Sequence, residues 1–309
     1  MLLANLEGDV VERVAEGPGG TMTLAQVPGR TDQLLASMNM YSPNCGGDDA
    51  AIWSYTREAD GTWTARNLMP LPYVHRFGFV RGADGTWWLL ACAIKDACDY
   101  DDDWRSPGRV VAARVPERIE DFDADNPLPS TILDPSQFKN HGFWAAPDAS
   151  FALVTTDGGV FRYTPPASPE GKWEICRIHD QPTSDALLID LDGDGVQEMV
   201  TFSPFHGDDL RVWRQDGDSW QLAWDDPDEH PFLHAIWGGV IGGKPTCVVS
   251  AREDGAELMM LRYEDGAYQL EDIEAGVCSM NAYVFHCADG TDRIVSCNRT
   301  TTEAALYIL

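Results

Sequence analysis

Asp185-Ala186-Leu187-Leu188-Ile189, Glu198-Met199-Val200-Thr201-Phe202, Leu210-Arg211-Val212-Trp213-Arg214 and Trp220-Gln221-Leu222-Ala223-Trp224 are four strand-length runs in close succession. A polar loop joins the first two, and the tight turn Gln215-Asp216-Gly217-Asp218 joins the last two. Val, Ile, Leu and Trp suit a pleated, half-buried surface, and Asp-Gly between such runs is a hairpin signal. The stretch reads as four antiparallel strands, A to D, of one sheet.

The unit recurs along the chain. Its outer hairpin returns as Ala51-Ile52-Trp53-Ser54-Tyr55-Thr56, Asp60-Gly61 and Thr62-Trp63-Thr64-Ala65-Arg66. It returns again as Leu258-Met259-Met260-Leu261-Arg262-Tyr263, Asp265-Gly266 and Ala267-Tyr268-Gln269-Leu270. Weaker copies run through Val160-Phe161-Arg162-Tyr163 with Trp173-Glu174-Ile175-Cys176-Arg177, and through Arg109-Val110-Val111-Ala112-Ala113-Arg114, whose D strand is ill-defined around 116–127. A polar residue opens strand A of every copy: Thr21, His75, His141, Asp185, His234 and Asn281. Strand B ends fifteen or sixteen residues later, at Ser37, Ala91, Thr156, Thr201, Ser250 and Ser296. A near-constant offset makes the six one structural position, and self-similarity at this period is the signature of a propeller. The sixth copy stops after strand C at 304–309, while 8–17 resembles the D strand at 265–276. The N-terminal strand is therefore expected to complete the last blade and remove an open sheet edge. The expected fold is all-β, a six-bladed β-propeller of four-stranded antiparallel blades in a single domain, 1–309. Its blades fall at about 20–70, 71–136, 137–180, 181–230, 231–277, and 278–309 plus 1–17.

With 309 residues and 44% hydrophobic content the chain can bury a full core, and its eleven Trp, nine Tyr and eleven Phe suit strands. A net charge of −28 argues against nucleic acid and anionic membrane surfaces, which carry the same sign, and leaves small molecules and cations as expected partners. No run reaches transmembrane length, and the N-terminus lacks the basic and apolar regions of a signal peptide. A cytoplasmic location is expected, with secretion the alternative if a leader has been removed. The eight cysteines form no CxxC pair; Cys247, Cys278 and Cys297 fall in or beside strands, and the set is expected to be mostly reduced core residues.

In a four-stranded blade the D–A and B–C connections share one face, and strand A starts nearest the channel. The six opening residues should ring one channel mouth. His179 and His230 in D–A connections and His206 after a B strand belong to that face; His286 does not. Imidazole suits Zn, Mn, Fe or Ni, so His75, His141 and His234, with Asp185 or a water, are the expected ligands of a divalent transition metal. A base among His206, His179 and Tyr41 would remove a proton beside a polarised carbonyl. Lys95, Arg252 and Arg299 would bind a carboxylate or oxyanion, and Thr21, Asn281, Asn39 and His230 would line the substrate space. The insertion 96–108, with Asp99, Tyr100, Asp101, Asp102, Asp103 and Trp104, is a candidate lid. The alternative is that the histidines only hydrogen-bond across the mouth.

Asp190-Leu191-Asp192-Gly193-Asp194-Gly195-Val196-Gln197-Glu198 reads D-x-D-x-D-G-x-x-E. It resembles the calcium loop of FG-GAP (VCBS, integrin-α-type) propeller repeats. That resemblance implies a structural Ca²⁺ held by Asp190, Asp192, Asp194 and Glu198, since alternating carboxylates suit a hard cation. Leu233-His234-Ala235-Ile236-Trp237-Gly238-Gly239 and Asn140-His141-Gly142-Phe143-Trp144 resemble the propeller part of aldos-2-ulose dehydratase-like proteins and propeller sugar lyases. This second resemblance implies elimination or dehydration on carbohydrate with metal bound. The leading expectation is thus a metal-dependent lyase, dehydratase or isomerase acting on a small, oxygenated, sugar-derived substrate. One alternative is a non-catalytic, calcium-stabilised propeller that binds glycan or protein. Another is a metal-dependent lactonase or hydrolase of the gluconolactonase type. No G-x-S-x-G, H-E-x-x-H, P-loop or Rossmann fingerprint is present.

Overall fold

Runs of apolar and β-branched residues separated by Asp-Gly, Gly-Gly and Asn-rich turns make almost every ordered element a strand, and a computed structural model describes residues 1–168, 170–217 and 219–309. Two compact units divide the chain, Met1–Arg177 and Ile178–Leu309, the boundary falling within one strand.

The first unit opens with a two-stranded hairpin, β1 (Leu2–Ala4) and β2 (Val10–Arg13). Three four-stranded sheets follow. The first holds β3 (Leu24–Gln26), β4 (Gln33–Met38), β5 (Ala51–Arg57) and β6 (Trp63–Pro70). The second holds β7 (Val74–Arg81), β8 (Trp87–Ala93), β9 (Gly108–Arg114) and β10 (Thr131–Gln137), with a single 3-10 turn at Ile119–Asp121. The third holds β11 (Phe143–Ala145), β12 (Ala152–Thr156), β13 (Gly159–Thr164) and β14 (Glu174–His179).

The second unit has β15 (Asp185–Ile189), β16 (Glu198–Ser203), β17 (Asp209–Asp216) and β18 (Ser219–Asp225) in its first sheet. Its next sheet has β19 (Leu233–Ile241), β20 (Lys244–Ala251), β21 (Leu258–Glu264) and β22 (Ala267–Glu274). Its last has β23 (Ser279–His286), β24 (Asp292–Asn298) and β25 (Glu303–Ile308). Neighbours in sequence are neighbours in each sheet, and every described pairing is antiparallel. The six sheets are the blades of a six-bladed β-propeller, as the repeat pattern predicts.

The second strands form the core. Every residue of β12 and β16 is buried, so both faces of these strands are covered, polar Thr155, Thr156, Glu198, Thr201 and Ser203 included. Val80, Leu90 and Val110 of the second sheet pack with Val154 and Tyr163 of the third, and Val248 and Leu258 pack with Val284 and Ile294. Burying each such side chain is worth about 1.5–3 kcal/mol. Gly78 permits the close approach of two sheets, because a Cβ there would meet the Phe143 ring. Turn chemistry is as expected at 265–266: Glu264 pairs with Ala267, and Asp265 and Gly266 both have positive φ, the twist that suits a two-residue hairpin. Asp218, part of the expected turn at 215–218, lies outside the described residues.

Two expectations are corrected. Among the described residues the N-terminal strand, expected to complete the last blade, is paired within its own hairpin. β2 pairs with β1, and the last sheet has three strands among the described residues. The local hairpin prevails because Asn5 builds its turn: its Oδ1 accepts the Glu7 and Asp9 amides at 3.1 and 2.8 Å, and Gly8 turns with φ 91°. Closing a loop this short costs little entropy. The D strand of the second blade lies at Thr131–Gln137, past 116–127, with register shifts on both sides of Asp134. Pro135 has no N–H to donate, which confines it to an irregular edge strand.

Candidate functional site: bulged histidines at the strand starts

Strands β7 and β19 carry the same irregularity. Val74 pairs with Ala93 and Arg76 with Cys92, which leaves His75 out of register; Leu233 pairs with Ala251 and Ala235 with Ser250, which leaves out His234. A β-bulge re-aims the extra residue and raises the local twist. Each bulged imidazole is then tied at Nδ1 to a carbonyl at the start of the next sheet. His75 reaches His141 O at 3.3 Å and His234 reaches Met280 O at 3.0 Å. A carbonyl can only accept, so Nδ1 carries the proton and the lone pair of the neutral ring lies on Nε2, the arrangement in which histidine binds metals. β23 has a shift of its own, between Ser279 and Ala282, at the position of Asn281.

A hydroxyl at the end of strand B supports this position in three blades. Ser37 Oγ accepts the Met22 and Thr23 amides at 3.1 and 2.8 Å, Thr155 Oγ1 accepts Gly142 N at 3.0 Å, and Ser250 Oγ accepts Ala235 N at 3.2 Å. Ser250 also donates to Ser279 O at 2.8 Å. Each hydroxyl satisfies an amide just after the opening residue that would otherwise be buried without a partner. Sequence reasoning missed these groups, although the signal, Ser or Thr near the end of strand B, was there.

Within the first unit His75 and His141 are both buried, with ring centroids 4.6 Å apart. Within the second, His206 lies between two phenyl rings, 3.8 Å from Phe205 and 4.1 Å from Phe232, with the His234 ring at 5.9 Å. The Arg252 guanidinium covers Phe232 at 4.2 Å. Arg252, Phe232, His206 and Phe205 therefore form one stack, joined to β19 by the Leu233 amide on Gly207 O at 3.0 Å. Arg252 and Arg299 line a cleft of about 300 Å³ with Glu253, Cys278 and Thr300. Burial pushes the Arg252 guanidinium down from its ordinary value and Arg299 adds to the effect, and Arg252 Nε is buried without a hydrogen-bond partner among the described residues. Two cations facing one cleft in so acidic a chain make it receptive to an anion.

Other expected site residues are placed as follows. Asp185 is buried at the start of β15, with Ser184 Oγ at 3.4 Å. Thr21 and Asn281 are exposed; Thr21 donates to Met38 Sδ, and Asn281 accepts the Ala282 amide. Asn39 donates to Asp49 O, and the exposed Tyr41 accepts the Gly19 amide. His179 is buried against Trp213, ring centroids 4.6 Å apart, and burial lowers its pKa. His230 Nε2 lies 3.3 Å from Asp226 Oδ2, an ion-pair distance; that carboxylate chiefly raises the imidazole above its ordinary value. It lines a separate cleft of about 480 Å³ with Glu257 and Tyr268, so the acidic run at 225–229 shapes a rim. Lys95 does not present its charge to solvent. It is fully buried, donates to Asp103 O at 2.6 Å and sits 3.8 Å over the Trp104 ring, because the insertion folds back on it. Nor are the cysteines a core set: Cys92, Cys247 and Cys278 are buried, while Cys45, Cys176 and Cys297 are exposed.

The acidic loop brings one ligand atom each of Asp190, Asp192 and Asp194 within 4.8 Å of one another. Its carboxylates are already engaged. Asp190 accepts the Gly193 and Gly195 amides, Asp192 the Asp194 amide and Asp194 the Val196 amide. Arg214 pairs with Asp192 and lies 3.5 Å from Glu198. Glu198 turns inward, accepting Leu191 N at 2.8 Å and the Tyr268 hydroxyl at 3.3 Å, and burial raises its pKa.

No protein-family model matches the chain, and no curated protein matches it in sequence. Solved structures resemble it in fold. The periplasmic gluconolactonase of Pseudomonas aeruginosa is 13% identical with a TM-score of 0.57, over 98% of this chain and 92% of its own. A candidate 6-phosphogluconolactonase from Bacteroides fragilis is 10% identical with a TM-score of 0.58, over 99% and 92%. Trypanosoma rangeli sialidase is 12% identical with a TM-score of 0.54, over 99% of this chain and 56% of its own. At such identities the likeness shows the propeller fold that the six sheets display.

Proposed function

We propose that the chain is a metal-dependent hydrolase of a small, sugar-derived lactone or ester, with His206 and His234 as ligands of a divalent transition-metal ion. The supporting observation is the anchoring repeated in both units: a histidine set out by a bulge, its Nδ1 held by a backbone carbonyl, its Nε2 presenting the lone pair. Imidazole ligands fit Zn, Mn, Fe or Ni better than Ca²⁺. When bound, such an ion polarises a carbonyl and makes water nucleophilic near neutral pH. The chain's own groups do the rest. The phenyl rings on both faces of His206 hold its plane, and Arg252 with Arg299 takes the substrate's carboxylate or phosphate. Hydrolysis is favoured over elimination because two neighbours in fold are named as lactonases.

A second ion is supported by the acidic loop, where Asp190, Asp192 and Asp194 offer the oxygens Ca²⁺ prefers. Arg214 already supplies positive charge there, so calcium would be structural and weakly held.

Elemental analysis of purified protein beside the His206→Ala, His234→Ala double variant, with proton release from aldonolactones, tests the reading. The expected result is loss of transition metal and of hydrolysis with an unchanged far-UV spectrum. Unchanged metal content, or hydrolysis retained by the variant, overturns it. An unsaturated, ultraviolet-absorbing product would return the reading to elimination.

A further inference from the structure

We infer that Cys45 and Cys98 are a reversible disulfide site that latches the 96–108 insertion to the loop after β4. The cysteines are 53 residues apart in sequence, yet their sulfurs lie 3.1 Å apart. The Cys45 amide points at Cys98 Sγ at 3.1 Å, and Cys45 Sγ lies 3.4 Å from Cys98 O. Both are free thiols, Cys45 exposed and Cys98 half-buried.

The insertion is built to deliver Cys98 to this place. Asp103 is buried and receives Arg105 Nε and Nη2 at 2.8 and 2.7 Å and the Asp99 amide at 3.2 Å. Lys95 holds Asp103 O from below and lies 3.9 Å from Cys98 Sγ. On the opposing loop Asn44, next to Cys45, accepts the Asp102 amide at 3.1 Å. The two segments are thus held in register by a neutral hydrogen bond beside two thiols, and covalent closure needs little backbone motion. The insertion leaves the sheet beside the His75 bulge, where Ala93 pairs with Val74 and the Ile94 amide binds Tyr73 O. Tying it down restrains the segment that roots next to that histidine. The cross-link itself is independent of the hydrolase reading.

The oxidant is a low-molecular-mass disulfide such as oxidised glutathione. The accessible Cys45 sulfur, which its hydrogen bond with Cys98 holds in the protonated form, attacks it on losing that proton, forming a mixed disulfide and expelling one glutathione thiolate. The Cys98 thiolate then attacks Cys45 Sγ, the mixed bond breaks, and the second glutathione leaves. The two protons lost by the protein thiols are taken up by the two leaving thiolates, so one disulfide is consumed and one formed.

The test equilibrates the full chain across a series of reduced-to-oxidised glutathione ratios, blocks free thiols and maps peptides without reduction. A peptide joining Cys45 to Cys98 is expected to be the first and dominant cross-link, and dithiothreitol should reverse it. Limited proteolysis within 99–105 should slow about tenfold on oxidation, as a tethered segment opens less often. In the Cys45→Ser variant Cys98 should carry glutathione, and proteolysis should ignore redox state. Independent alkylation of the two thiols with no joined peptide, or equal slowing of proteolysis in Cys45→Ser, overturns the inference.

Discussion

The bulges at His75 and His234 and the acidic turn at 190–198 are both polar devices next to a first strand, and they satisfy their polar groups in opposite ways. The turn is closed on itself: its three aspartates accept amides of their own loop, and Arg214 supplies the counter-charge. The bulges are tied outward, one imidazole nitrogen to the next sheet's backbone and the following amide, in the fifth blade, to a strand-B hydroxyl. A self-satisfied turn shapes the chain locally. A tethered imidazole has its second nitrogen aimed by the fold, which is the pre-organisation a ligand or catalytic group needs.

The largest effect that could break this contrast is expected at His234. His234→Ala should lower metal affinity and hydrolysis by about 100-fold or more, since even removing a group that merely orients a ligand costs 10–100-fold. Asp192→Ala should leave both unchanged. Equal losses in the two variants, measured by metal titration and lactone turnover, would erase the distinction. Next comes Ser250→Ala, which strands the buried Ala235 amide and Ser279 carbonyl. Its expected cost is about 1–3 kcal/mol in urea unfolding, and metal affinity should weaken with it because the bulge loses its brace. Stability lost with metal affinity intact would show that the hydroxyl serves the sheet alone.

How much of this was legible beforehand depended on whether a feature is local. The strands of the fourth and fifth blades follow from apolar runs flanking Asp-Gly, and the fifth blade's turn forms where expected. The second blade's D strand was obscured because Asp134 and Pro135 interrupt its pattern. The strand at 10–13 was assigned to the wrong partner, since its pattern fits either edge and only the Asn5 turn decides. At the site, the recurrence of a polar residue picked out His75 and His234, but the bulge that gives the position its meaning is a register fact between strands. The stack of Arg252, Phe232, His206 and Phe205 draws on three connections separated in sequence. Lys95 was misread because its burial depends on Trp104 folding back over it.

A smaller effect sharpens the comparison at the acidic turn. If Arg214 stands in for part of a cation's charge, removing it should make the turn depend on calcium. Arg214→Gln is expected to lose about 1 kcal/mol or less without calcium, as half-exposed ion pairs do, and to regain it when calcium is added. The unsubstituted chain should shift little between chelator and calcium in thermal melts. A large calcium shift in the unsubstituted chain would mean that the aspartates hold an ion despite Arg214.

The smallest effects come from His179 and His230, which lie outside the proposed ligand set, and they ask whether position or mere histidine content matters. His179→Phe and His230→Gln should leave metal content unchanged and alter only how stability follows pH. Burial holds the His179 pKa below the ordinary imidazole value of 6.5. Its contribution is complete above that value and is lost as pH falls, when the unfolded chain takes up a proton that the fold resists. His230 has the opposite sign: beside Asp226 its pKa is raised above 6.5, so its contribution is complete below 6.5 and fades as pH rises through the folded value. Urea midpoints between pH 5 and 8 should therefore lose part of their acid-side decline in His179→Phe and part of their alkaline-side decline in His230→Gln. Loss of bound metal in either variant would extend the ligand set beyond His206 and His234.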